Sequence, residues 1–222
     1  AKGWDMGAAG FVAAWATENT RKGIYEAFKR REVYASTGPR ITLRFFGGYD
    51  FGAADLKAKD LAANGYRKGV PMGGDLKAHG GRRAPTFLVA AMKDPQGANL
   101  DRVQIVKGWV EADGSTRERI YDVAVSGSRS IDTDGRCATA VGNTVNLKTG
   151  QYRNDIGAAE LHTVWRDPHF DPAQRTFYYA RVLEIPTPRY SLLDSIALGK
   201  PWEDTGRPAT IQERVYGSPI WY

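Results

Sequence analysis

The sequence predicts a mainly β protein: an antiparallel β-sandwich-like domain preceded by an amphipathic helix, α+β overall. Apolar residues alternate with other residues in a series of short runs, the period of a strand with one buried face. The stretches between those runs are rich in Gly, Pro, Asn and Asp, the residues of turns. Helical spacing is clear near the start and rare elsewhere, and strands in series with few helices favour an antiparallel sandwich.

The helical segment is 18–32. Ile24, Tyr25, Ala27 and Phe28 fall at three-to-four spacing, while Arg21, Lys22, Lys29, Arg30 and Arg31 take the wet side. Thr17 or Asn19 is the expected N-cap, and the basic residues 29–31 suit the negative end of the helix dipole. Thr37-Gly38-Pro39 forbids continuation, because proline lacks a backbone donor and restricts the residue before it. Beyond that corner Ile41, Leu43 and Phe45 alternate with Thr42, Arg44 and Phe46, which predicts a strand. Further strands are expected over 86–92, 102–110, 119–126, 159–165, 177–185 and 220–222. In the 119–126 strand, Tyr121, Val123 and Val125 are expected to face inward and Asp122 to meet water. The longest connection, 47–81, is Gly-rich; its AADLKAKDLAANG portion is expected to form two helical turns closed by Gly65, with the remainder a loop packed over a sheet. The change of period at 38–40 is the expected domain boundary.

A chain of 222 residues accommodates one large β-rich domain, or one domain and part of another. With 42% hydrophobic and 25% charged residues, and no apolar run of about 18, it reads as a soluble globular protein with no membrane partner. The net charge of +6 favours an anionic small-molecule substrate or surface. The charges are spread along the chain, and no helix-turn-helix, zinc-finger or RNP-like pattern accompanies them, so nucleic acid is not an expected partner. The single cysteine, Cys137, excludes an intrachain disulfide and a thiolate metal cluster, and is expected to be a buried, unreactive thiol. The opening AKGWDMG carries no initiator Met, apolar signal region or cleavage pattern, which predicts a processed leader or an excised fragment.

Catalytic motifs are scarce. His79, His162 and His169 are far apart in sequence and form no H-x-H, H-E-x-x-H or H-x-x-x-H pair. DTDGRC at 132–137 lacks the ligand pattern of a calcium loop and reads as a hairpin turn. There is no G-x-S-x-G or S-x-x-K, so no nucleophile is nominated, and GVPMGGDL has neither the preceding strand nor the Lys-Ser/Thr of a phosphate-binding loop. The candidate substrate-binding residues are arginines at structural joints, Arg40, Arg166 and Arg189, with His79 on the long loop. A planar guanidinium there suits a carboxylate or phosphate; the alternative is that each pairs with a neighbouring Asp or a loop carbonyl.

The strings ENTRKGIYEAFKRREVYASTGPRITLRFFGGYDF, GVPMGGDL, ELHTVWRDPHFDPAQRTFYYARVLEIPTPRYS and QERVYGSPIWY resemble the carboxyl-terminal part of bacterial proteins of the domain of unknown function 3604 family, over nearly the whole chain. That family is related to the polymerase and histidinol phosphatase superfamily of metal-dependent phosphoesterases. The resemblance implies that 1–39 is the terminal helix region of an upstream α/β barrel and 40–222 a β-rich carboxyl-terminal domain. It implies a divalent metal for a complete homologue, held by residues upstream of this chain, so no cofactor and no metal ligand are expected here, and no catalytic residue is carried across. The function so implied is a structural or substrate-shaping portion of a metal-dependent hydrolase of phosphate or sulfate esters. Such a portion is catalytically silent as an isolated chain, partnered by the missing barrel, and periplasmic or secreted. In that role Ile24, Tyr25 and Phe28 would brace the barrel. The alternative from another class is a carbohydrate- or acidic-ligand-binding sandwich module, suggested by six Trp and eleven Tyr, although Trp165, Phe177 and Tyr179 are expected in the core. A further alternative is an interaction domain whose helix face seeks the barrel.

Overall fold

The computed structural model describes residues 9–79 and 83–222. The chain begins with β1 (Phe11–Ala14), α1 (Arg21–Lys29) and β2 (Val33–Ser36), then crosses to β3 (Thr42–Gly48). A 3-10 turn (Ala53–Lys57), α2 (Leu61–Lys68) and β4 (Gly69–Pro71) follow. The long strands come next: β5 (Thr86–Met92), β6 (Leu100–Val110), β7 (Thr116–Val125), β8 (Glu160–Arg166) and β9 (Thr176–Glu184). The chain closes with β10 (Thr187–Pro188), α3 (Tyr190–Ala197), a second 3-10 turn (Trp202–Thr205), β11 (Thr210–Ile211), β12 (Arg214–Gly217) and β13 (Ile220–Trp221).

Two antiparallel sheets face each other. One has the order β1-β2-β12-β9-β6-β7, with β13 also on β9; the other has the order β4-β3-β5-β8, and β10 pairs with β11 in a separate small ladder. The core lies between the two sheets: Leu43, Phe45, Phe87 and Val89 from one meet Val103, Ile105, Tyr178, Ala180 and Val182 from the other, all 1% exposed or less. The mainly β, antiparallel, sandwich-like architecture is the one the alternation predicts. Residues 11–36 and 214–217 share a sheet through β2 and β12, so the change of period at Gly38–Arg40 is where the chain leaves one sheet for the other.

Several local expectations are corrected. The N-cap of α1 is Thr20, whose side chain accepts from the Gly23 N–H at 3.0 Å, rather than Thr17 or Asn19, and the helix is shorter than 18–32. Only Gly23 and Ala27 of α1 are buried; Ile24, Tyr25 and Phe28 are exposed. Gly65 does not close the second helix. Asp60 caps α2 by accepting from Ala63 N–H, and the helix runs through Gly65 to Lys68. The glycine is needed for close approach, because a Cβ there would run into the Phe46 ring. With Phe46, Leu88 and Phe51, α2 and the adjoining 3-10 turn form a small second core on the outer side of the four-stranded sheet. Much of 47–79 is therefore a packing layer.

Asp122 does not meet water. A register shift between Val103 and Gln104 sets it opposite Gln104, and its carboxylate accepts from Gln104 Nε2 (2.7 Å), Arg102 (3.0 Å) and the Cys137 N–H (2.8 Å). Cys137 is buried, and DTDGRC forms a tight turn in which the Gly135 N–H donates to the Asp132 carbonyl. Among the described residues no helix is long and apolar enough to cross a membrane.

Candidate functional site

The alternation along β9 decides which aromatic side chains are free to meet a ligand. Tyr178, Ala180 and Val182 point into the core, so Phe177, Tyr179 and Arg181 point away from it. This corrects the placing of Phe177 and Tyr179 in the core; both are half-buried on the outer face, whereas Trp165 does pack against the core. Opposite Phe177 on β6 stands Gly108, and a Cβ there would collide with the Phe177 ring. The missing side chain lets that ring lie flat over the strand.

Phe177 anchors a row of rings. Trp221 of β13 is 5.2 Å away between centroids, Tyr179 is 6.4 Å away and nearly parallel, and Tyr216 of β12 is 6.5 Å from Tyr179. The Trp221 end of the row opens into a cleft of about 860 Å³, within the usual range of small-molecule sites. Arg117, Glu118 and Arg175 stand exposed around it. Glu118 and Arg175 share the face of Phe177, whereas Arg117, the register partner of Trp109, meets the cleft at the strand edge with its side chain directed to the other face. Burial first, and then the Glu118 charge, push the Tyr179 phenol up, so it stays a hydrogen-bond donor across the neutral range.

The other side of the same two strands holds a buried polar network. Lys107 and Tyr178 are register partners next to Gly108 and Phe177, and their side chains point inward. Lys107 Nζ donates to Asp167 Oδ2 at 2.7 Å and to the His169 carbonyl at 2.6 Å, and the Tyr178 hydroxyl donates to Asp167 Oδ2 at 2.7 Å. The His169 N–H closes the turn by donating to Asp167 Oδ1. Burial and then the Asp167 charge raise the Tyr178 phenol, which stays protonated. Further out, Tyr121 Oη lies 3.0 Å from His169 Nδ1, and burial followed by the Asp167 charge pushes the Tyr121 phenol up to about 12. The network pins the 167–169 turn to β6 and β9 and so fixes the strands that carry the cleft.

The sequence candidates lie elsewhere. Arg40 precedes β3, where its backbone N–H donates to Asp94 Oδ2, and Arg166 ends β8. The register Thr42–Met92–Glu160 at one end and Gly48–Thr86–Arg166 at the other puts these two arginines more than roughly 20 Å apart. His79 packs against the Tyr49 ring. The Arg189 guanidinium donates to Ser191 Oγ and Tyr190 Oη, two neighbouring hydroxyls rather than an Asp or a loop carbonyl. None of the four lines the cleft. The cleft residues Trp221, Phe177 and Arg175 escaped the sequence reading, although the phase of β9 had a signal: Arg181 shares a face with Phe177 and Tyr179.

Compared with known families, the chain matches the model of the family described as "Protein of unknown function (DUF3604)" over residues 1–222. The chain belongs to this family. No curated protein and no solved structure matches it. The divalent metal that the resemblance implies finds no fitting donor set in this DUF3604 chain: among the described residues no three His, Cys, Asp or Glu side chains are grouped to hold an ion. Asp167 and His169 stand two residues apart, but the carboxylate is engaged by Lys107 and Tyr178, and the imidazole contacts Tyr121.

Proposed function

We propose that this DUF3604 chain is a ligand-holding β-sandwich module whose outer aromatic cleft binds a carbohydrate or another acidic ligand. The observation that carries this reading is the solvent-facing row Trp221, Phe177, Tyr179 and Tyr216, with the exposed Arg175 at one end. Flat aromatic faces stack on the C–H face of a sugar ring at little entropic cost, and a partly exposed Trp at the mouth of a cleft is the usual place for such an anchor. A glycan array followed by calorimetry tests it. Saturable binding is expected, weakened about tenfold or more by Trp221→Ala. Absence of saturable binding to every glycan, or an unchanged affinity in that variant, would count against it.

A second reading is favoured by α1, where Ile24, Tyr25 and Phe28 are 38%, 60% and 49% exposed on one short helix. In that reading the chain is the carboxyl-terminal portion of a metal-dependent phosphoesterase-like hydrolase, silent by itself, and the helix braces an upstream barrel. The barrel supplies the metal, and Arg40, His79, Arg166 or Arg189 meets the anionic substrate. Hydrogen exchange compares the isolated chain with a protein carrying the barrel. Protection of the α1 amides should rise in the longer protein, and equal protection in both opposes the reading.

A further inference from the structure

Resting on the cleft as a ligand site, we infer that its ligand is an extended oligosaccharide of several rings, laid lengthwise along β9, whose ring at the Trp221 end is uncharged. The length follows from the registers. Trp221 stands opposite Phe177 and Tyr216 opposite Arg181, both on the flank of β9 away from β6. Those two positions are four residues apart along the strand, roughly 13 Å, well beyond the width of one sugar ring. The shape follows from the ring planes. The Phe177 ring covers Gly108, so its free face looks outward, and Tyr179 lies within 12° of parallel to it. These two rings are the floor of a trough. Trp221 is tilted 51° from Phe177 and Tyr216 48° from Tyr179, which raises one wall, and Glu118 and Ile120 of β7 border the other side. A single ring would leave much of this surface wet.

The charge at the Trp221 end follows from which side chains share the face of Phe177. They are one carboxylate, Glu118, and one guanidinium, Arg175. An anionic ring there meets Glu118 and a cationic ring meets Arg175. An uncharged ring gives hydroxyl protons to the carboxylate and accepts from the guanidinium, so both groups are satisfied at once. The Tyr216 end differs: it carries Arg181 and Arg214, whose Nε groups donate to Gln104 Oε1 and the Gln212 carbonyl, so a charged ring is tolerated there. Two other extended ligands use rows of aromatic rings. Single-stranded nucleic acid requires cations along the whole track of stacked bases, and Glu118 interrupts that track. A proline-rich peptide offers many carbonyl acceptors and few N–H donors, which leaves the Glu118 carboxylate facing acceptors. Sugar hydroxyls both donate and accept, and the C–H faces of the rings cover the aromatic floor.

The experiment is an array of linear, uncharged oligosaccharides of one to five rings, beside three-ring chains bearing a uronate at either end or at both, a proline-rich peptide and a single-stranded oligonucleotide. Hits are measured by calorimetry on the whole chain. Affinity for the uncharged series should rise about tenfold or more between one ring and three and then level off. A second uronate places one acid at the Trp221 end whichever way the ligand lies, so it should bring no gain over the better single-uronate chain. In Glu118→Gln, a change at an exposed position, the second uronate should bring a gain of several-fold. Tyr216→Ala should weaken the three-ring ligand and leave the one-ring ligand unchanged, while Tyr216→Phe, which keeps the ring, should bind both as the parent does. Equal affinity for one and three rings, a gain from the second uronate in the parent, no such gain in Glu118→Gln, or tighter binding of the peptide or the oligonucleotide overturns the inference. If Trp221-dependent glycan binding persists in those cases, the cleft reading stands alone. Failure of every glycan to bind removes both.

Discussion

Replacing Asp167 by Asn is expected to lower stability by about 3–5 kcal/mol, because it leaves the Lys107 ammonium charged, buried and facing a neutral amide. For a chain of this length that corresponds to a fall in Tm of roughly 6–20 °C. Lys107 and Asp167 side chains are 2% and 0% exposed, so neither regains water when its partner goes. In the intact protein both charges of this pair are answered: the ammonium gives two hydrogen bonds, and the carboxylate accepts from Lys107, Tyr178 and the His169 N–H. Lys107→Met combined with Asp167→Asn should recover much of the loss, since no buried cation then remains. Urea denaturation of the single and double variants reads the difference as a shift in midpoint at constant slope. A single variant within about 1 kcal/mol of the parent, or a double variant no better than the single, would contradict the account of this pair. Loss of glycan binding in Asp167→Asn is expected only in proportion to unfolding, because the network lies on the face of the strands opposite the cleft.

Glu184→Gln is expected to act in the opposite direction and to do so with a pH signature. Glu184 is 2% exposed, and its Oε1 is buried with no hydrogen-bond partner. Desolvation, reinforced by the charges of Glu213 and Asp94 and only partly opposed by Lys93, pushes its carboxyl up to about 8 from an ordinary value of 4.5. In the window between those values the unfolded chain gives up this proton and the folded chain keeps it. The contribution to stability is therefore fully present below about 4.5, falls as pH rises, and is lost once pH passes about 8. The magnitude over the whole window is about 3–5 kcal/mol. The Gln variant lacks that proton, so its advantage over the parent should grow from near zero at the acid end to about 3–5 kcal/mol at the alkaline end. Chemical denaturation across the window measures it, and a difference that is flat with pH would show that burial does not hold the proton on Glu184.

The parts of the fold that were legible in the sequence are those fixed by local chemistry. The period-two runs at Thr86–Met92 and Thr176–Glu184 announce strands whatever lies beside them. The Thr37-Gly38-Pro39 corner turns the chain whatever follows, and the burial expected of a lone cysteine is found at Cys137. The edges that were missed, β1, β2, β4 and β10 to β12, are two to four residues long and exist only because a partner strand supplies their hydrogen bonds.

The candidate site was not legible for a related reason. Alternation states that neighbouring side chains point to opposite faces, but in TFYYARVLE aromatic residues stand on both, so the pattern leaves open which face meets the other sheet. That choice is made by distant residues: Phe87 and Val89 cover Tyr178 and Ala180 from across the core, and β12 and β13 bring Tyr216 and Trp221 to the uncovered side. Asp122 and Glu184 show the same dependence in charge. Composition alone places carboxylates in water, and only packing from Cys137 on one and Gly97 beside the other takes them out of it. The chain's own sequence thus determined the elements and their period, whereas burial, partner charges and the open aromatic face were decided by contacts between residues far apart along it, because desolvation depends on what covers a group and not on what precedes it.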